Sequence, residues 1–197
     1  MNREVLMPLV ARVARLLLKI AFGLIAAILL LLISALAAYD VTHFQPHRSE
    51  IDRLLSGAAD DERELPAAVA GLLKVSMGGH TCQIAARQLL FGLDLAPRRG
   101  GMLAWHAKSA AWSMLTCVHL NERERLTAIA TLAYAGAPRT HGLSASANVL
   151  FGRPLSQLSL EQQAELIALS DNPYLIDSPE RRAKRTAALL ARYRANT

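Results

Sequence analysis

Hydrophobic residues run from Ile20 to Ala38 without a single charge, over 19 positions. At ~1.5 Å rise per residue, such a helix crosses the hydrocarbon core of a bilayer. Arg12, Arg15 and Lys19 precede the run, and no comparable basic cluster closely follows it. That asymmetry predicts a cytoplasmic N-terminus and an extracytoplasmic remainder. A cleaved signal peptide, cut at the small residues Ala35-Leu36-Ala37, is the rival reading. The apolar run exceeds the ~7–15 residues of a signal core, which favours an uncleaved anchor.

After the anchor the pattern turns polar and acidic. Residues 39–65 read as a juxtamembrane linker with one short helix near Ile51–Leu55. From Pro66 onward apolar positions recur at helical spacing, and no long apolar/polar alternation suggests a sheet. Pro66 starts a helix that runs to about Ser76, and Met77-Gly78-Gly79 breaks it. Further helices are predicted at Thr81–Phe91 and Met102–Leu120, joined by a loop holding Pro97, Arg98 and Arg99. Asn121 with Glu124 forms a capping-box pattern, opening a helix to about Gly136. Leu143–Leu150 follows, closed by Gly152. Ser159 with Gln162 caps the next helix, which stops before Asp171-Asn172-Pro173. Ser178-Pro179 opens the last. The domain plan is a cytoplasmic segment (1–19), an anchor (20–38), a linker (39–65) and an all-α domain (66–197).

Composition agrees: Ala and Leu dominate, and aromatics make up only 5% of the chain. The net charge is +6, and the part beyond residue 40 stays mildly basic. A basic domain beside a membrane suits anionic headgroups or pyrophosphate. No helix-turn-helix, zinc or aromatic RNA-binding signature is present, so nucleic acid is not an expected partner. Cys82 and Cys117 are too few for a disulfide framework and lie in apolar helical patterns. Buried free thiols are the default reading. A single bridge between them stays open.

Residues 142–173, GLSASANVLFGRPLSQLSLEQQAELIALSDNP, resemble the C-terminal part of the peptidoglycan glycosyltransferase domain of glycosyltransferase family 51. The match is without gaps from Ala145 to Pro173. The Arg-rich run from Pro179 to Arg185 resembles the helix that follows in that family. Leu120 to Gly136 resembles its "LSKDEILELYLNRVYFG" helix. Gly78-Gly79-His80-Thr81 with Ala86-Arg87-Gln88-Leu89-Leu90 resembles "GGSTITQQLARNLL", with the double Gln reduced to Gln83.

The resemblance implies a lysozyme-like helical fold behind one transmembrane helix, in the bacterial cytoplasmic membrane. It implies lipid II or glycan strands as ligands, with other cell-wall synthesis proteins as partners. The reaction implied is glycan-strand polymerisation with displacement of undecaprenyl pyrophosphate. No cofactor is implied beyond a divalent cation.

Such transfer needs a carboxylate to take the proton of the attacking hydroxyl and cations to hold the departing pyrophosphate. Asp60, in Ala58-Ala59-Asp60-Asp61-Glu62-Arg63, stands nearest to the family's first catalytic glutamate, and Glu62 and Glu64 are alternatives. Asp60 lies 18 positions before Gly78, closer than in the family. On sequence alone all four carboxylates of residues 60–64 read as solvated loop charges. The second glutamate position falls on Ser109. Gly78, Gly79, Thr81, Gln83, Arg87, Arg98, Arg99 and Lys108 are the implied substrate and pyrophosphate contacts. The pattern predicts weak or absent polymerase activity, and a non-catalytic binding or scaffolding pseudoenzyme is the alternative.

Overall fold

The computed structural model describes residues 3–96, 101–137 and 140–196, with side chains from Leu16 onward. Every regular element among the described residues is helical. The chain divides into two compact units, residues 1–46 and 47–197.

The first unit is dominated by α1, Arg3–Tyr39. It is longer than the predicted 20–38 because residues 3–19 carry helix-forming Leu, Met, Arg and Ala that simply extend it. It is long and apolar enough to cross a membrane, and its apolar stretch is unburied. It ends in one π-helical turn, Asp40–Phe44. There the Tyr39 and His43 rings stack at 4.3 Å. The Thr42 hydroxyl donates to the carbonyl of Ala38 at 2.7 Å.

The second unit contains nine α-helices among the described residues. They are α2 (Arg48–Ser56), α3 (Asp60–Arg63), α4 (Ala67–Met77), α5 (Thr81–Gly92), α6 (Gly101–His119), α7 (Glu122–Leu132), α8 (Leu143–Phe151), α9 (Leu160–Asp171) and α10 (Pro179–Ala195). Residues 47–65 belong to this unit. Ile51 is fully buried, and the Arg48 guanidinium donates to the carbonyl of His119 at 3.0 Å.

The core gathers Val69, Leu72 and Leu73 of α4 with Leu126 and Ile129 of α7, Leu143 of α8, Leu166 and Ile167 of α9, and Leu189 of α10. Helix α9 is buried on most sides, as befits a helix packed by α4, α8 and α10. Helices α4 and α10 pass so closely that a Cβ on Gly71 would lie 2.5 Å from the Tyr193 ring.

Both capping boxes form as the sequence predicts. The Asn121 side chain accepts from the amide of Glu124 at 2.9 Å, and that of Ser159 accepts from Gln162 at 3.2 Å. Two expectations change. Helix α7 stops at Leu132 instead of near Gly136. Beyond it Ala133, Ala135 and Ala137 are buried in alternation on an extended segment, fixed by the Gly142 amide donating to the Ala133 carbonyl at 2.8 Å. The free-thiol reading also gives way, because Cys82 and Cys117 form a disulfide. Helices α5 and α6 pack antiparallel and bring their Cα atoms to 5.3 Å, within bridging range.

Candidate functional site

The acidic segment around α3 is split between solvent and scaffold. Asp60 is exposed, with a side chain 91% accessible and ion-paired to Arg63 one turn on. Asp61 accepts from both the amide and the hydroxyl of Ser156, at 3.2 and 3.1 Å. Glu62 is only 4% exposed. Its Oε1 accepts from the amide of Ser144 at 2.9 Å, in the first turn of α8. This is the favourable place for an anion, since the first helical amides lack carbonyl partners. Gly142 makes the contact practicable: its φ is +92°, and a Cβ there would sit 2.7 Å from Glu62 Oε1. Glu64 is exposed and pairs with Arg123 at 3.5 Å.

The solvated-charge reading therefore describes Asp60 and Glu64 but not Glu62, whose burial arises from a contact 82 residues away. A general base must reach the proton it removes. Asp60 is open to solvent, whereas Glu62 is committed to a helix terminus.

The Gly78-Gly79 pair ends α4 with φ values of +57° and +84°. A Cβ at either would meet nothing within 4 Å, so backbone conformation alone selects glycine there. Thr81 opens α5 half-buried, while Gln83 and Arg87 lie one turn apart on its exposed face. Arg87 makes no ion pair among the described residues. Lys108 turns inward and donates to the carbonyl of Leu95, tying the loop after α5 to α6. Ser109 is buried beside it. Arg98 and Arg99 lie outside the described residues. Among the described residues, no group of three or more His, Cys, Asp or Glu side chains is placed to hold a metal ion.

Two grooves meet at Lys74, which sequence reasoning passed over. One, of about 490 Å³, is lined by Gly71, Lys74, Val75, Gly78, Gly79, Arg192, Tyr193 and Asn196. The other, of about 330 Å³, includes Arg63, Glu64, Lys74, Glu122 and Arg123. The signal in the sequence is slight: a lysine one turn before the Gly-Gly break, and an arginine late in the last helix.

Lys74 Nζ lies 2.6 Å from Glu122 Oε1. The hydrogen bond from Lys74 holds the Glu122 carboxyl below its ordinary range, partial burial opposes this, and the charges of Lys74 and Arg125 reinforce it. With the folded value depressed, the pair stabilises the fold above the unfolded carboxylate range. That contribution is lost as pH falls through the folded value. Exposure of both side chains keeps the contribution small. In Lys74→Met the Glu122 midpoint is expected to rise toward the ordinary range, read by carboxyl-carbon NMR during titration. An unmoved midpoint would show that Lys74 is not the cause.

Compared with known proteins, the chain matches no protein-family model and no curated protein.

Proposed function

We propose that this chain is a membrane-anchored, extracytoplasmic member of cell-wall synthesis with a lysozyme-like helical fold. In this reading it binds lipid II or glycan strands without polymerising them. The observation that carries it is the fate of the carboxylates set against that of the cations. Asp60 is paired with Arg63 at the surface and Glu62 is held by the Ser144 amide, whereas Arg87 is exposed and unpaired among the described residues. A site with an open cation and no poised base can contact a pyrophosphate but cannot deprotonate a sugar hydroxyl.

The disulfide supports an extracytoplasmic location, because such bonds persist in oxidising compartments. The apolar length of α1 and the basic residues before Ile20 support a single pass with the N-terminus inside.

The second reading, a weak glycosyltransferase, is favoured by the solvent-open carboxylate of Asp60. The purified full chain and lipid II in detergent separate the two. Binding is expected to weaken by about tenfold or more in Arg87→Ala, the loss of one charge-assisted contact. No glycan chains are expected. Robust chain formation abolished by Asp60→Asn would establish the enzyme instead, and unchanged binding in Arg87→Ala would remove the pyrophosphate contact.

A further inference from the structure

The bridge between Cys82 and Cys117 can be reached from solvent. Cys117 is exposed and Cys82 is half-buried. A buried bridge reacts only after the chain opens, whereas an accessible one meets a thiolate in the folded state. Exposed bridges belong to the labile, regulatory class.

Its two sulfurs are not equivalent. Cys82 is the second residue of α5, and His80 at the N-cap offers no side-chain acceptor. The first amides of a helix lack carbonyl partners and carry partial positive charge, so a thiolate is stabilised there. Cys117 lies in the last turn of α6, at the negative end of that helix, where a thiolate is disfavoured. In exchange, the sulfur that better carries negative charge is the one that leaves. Attack therefore falls on Cys117 Sγ, and the bond electrons depart with Cys82 Sγ.

The bridge also holds a helix that packing holds lightly. The buried side chains of α6 are Ser109, Trp112, Leu115 and Thr116. None of them belongs to the main core gathered by α4 and α7 to α10. Helix α6 rests chiefly on α5. Two hydrogen bonds assist, from Arg48 to the carbonyl of His119 and from Lys108 to that of Leu95. The seam is imperfect, because the Thr116 hydroxyl is buried without a hydrogen-bond partner among the described residues.

We infer that the Cys82–Cys117 bridge is an exchange site for a dithiol, and that its reduction unlatches α6 from α5 while the rest of the second unit stays folded. One thiolate of the dithiol attacks Cys117 Sγ, forming a mixed disulfide and expelling Cys82 as a thiolate. The second thiolate of the dithiol attacks the first sulfur, closes the reagent into its own disulfide and expels Cys117. Two electrons pass from the dithiol to the bridge, and the two protons that the dithiol gives up end on Cys82 and Cys117.

The test uses the folded full chain in detergent. Glutathione, a monothiol, stops the exchange at its first step, and N-ethylmaleimide then traps the freed thiol. Trypsin separates Cys82 from Cys117, since Arg87 and Lys108 lie between them, and mass spectrometry reads each peptide. Expected is glutathione on Cys117 and maleimide on Cys82, in severalfold excess over the reverse pattern. An even split or the reverse overturns the assignment of the leaving sulfur. No adduct until denaturant is added overturns the exchange site. Hydrogen exchange after complete reduction with dithiothreitol reads the latch. Expected is near-complete loss of protection across α6, with α9 still protected, and the same pattern in the Cys82→Ser, Cys117→Ser double variant without reductant. Helix α6 as protected as α9 after reduction overturns the latch. Loss of protection in both helices overturns it as well, because the bridge then holds the whole unit.

Discussion

Replacing Cys82 and Cys117 together by serine is expected to lower stability on the order of 3–4 kcal/mol, given the 35-residue separation the bridge closes. The cross-link restricts the unfolded chain far more than the folded one, where α5 and α6 already lie side by side. The loss corresponds to a fall in melting temperature of roughly 10 °C in a unit of this size. Thermal unfolding of the full chain in detergent, followed by circular dichroism, measures it. Reductant added to the parent protein should reproduce the shift and leave the serine variant unaffected. A parent that melts at the same temperature with and without reductant would show that the bridge adds nothing.

The second large effect lies where α3 meets α8. Glu62→Ala removes a buried carboxylate from the Ser144 amide, leaving a helix N-terminus short of an acceptor. Contacts of this kind are worth about 1.5–3 kcal/mol, and the loss is expected in that range. Gly142→Ala should cost about 1–3 kcal/mol for the backbone conformation alone, since φ is +92° with ψ 142°. The 2.7 Å approach to Glu62 Oε1 adds to this. The double variant separates the two terms. With the oxygen gone, the methyl group meets less, so the combined loss should fall short of the sum. Strict additivity would mean that the notch at Gly142 is not shaped for Glu62.

The two sites also show what the sequence makes legible. Elements whose signals are local come through: the capping boxes at Asn121 and Ser159, the Gly78-Gly79 break and the proline opening α10 are all where the pattern puts them. Each depends on groups within four residues of one another. Glu62 escapes because its partner is in α8, and a carboxylate in an Asp-Asp-Glu-Arg run looks like any surface charge until α8 arrives beside it. The end of α7 escapes for a related reason. Alanines 133, 135 and 137 have high helix propensity, yet a Cβ on Gly136 would sit 3.0 Å from the carbonyl of Pro173, so close packing decides the backbone. The Cys pair is not legible because 35 residues separate its members and only the antiparallel packing of α5 and α6 joins them. Of the candidate site, the glycines and Arg87 were legible as motif positions. Lys74 and Arg192 were not, since a groove between α4 and α10 leaves no mark in either segment alone.

The bridge has one more consequence, a matter of connectivity. It makes the second unit a covalent ring from Cys82 to Cys117 with a tail at each end. One tail leads back to α1, and the other carries α7 to α10. A protease that cuts once inside the ring, for instance after Arg98 or Arg99, opens the circle without releasing a fragment. The part beyond Cys117 would stay attached to α1 after such a nick, and would come free only once the thiols were reduced.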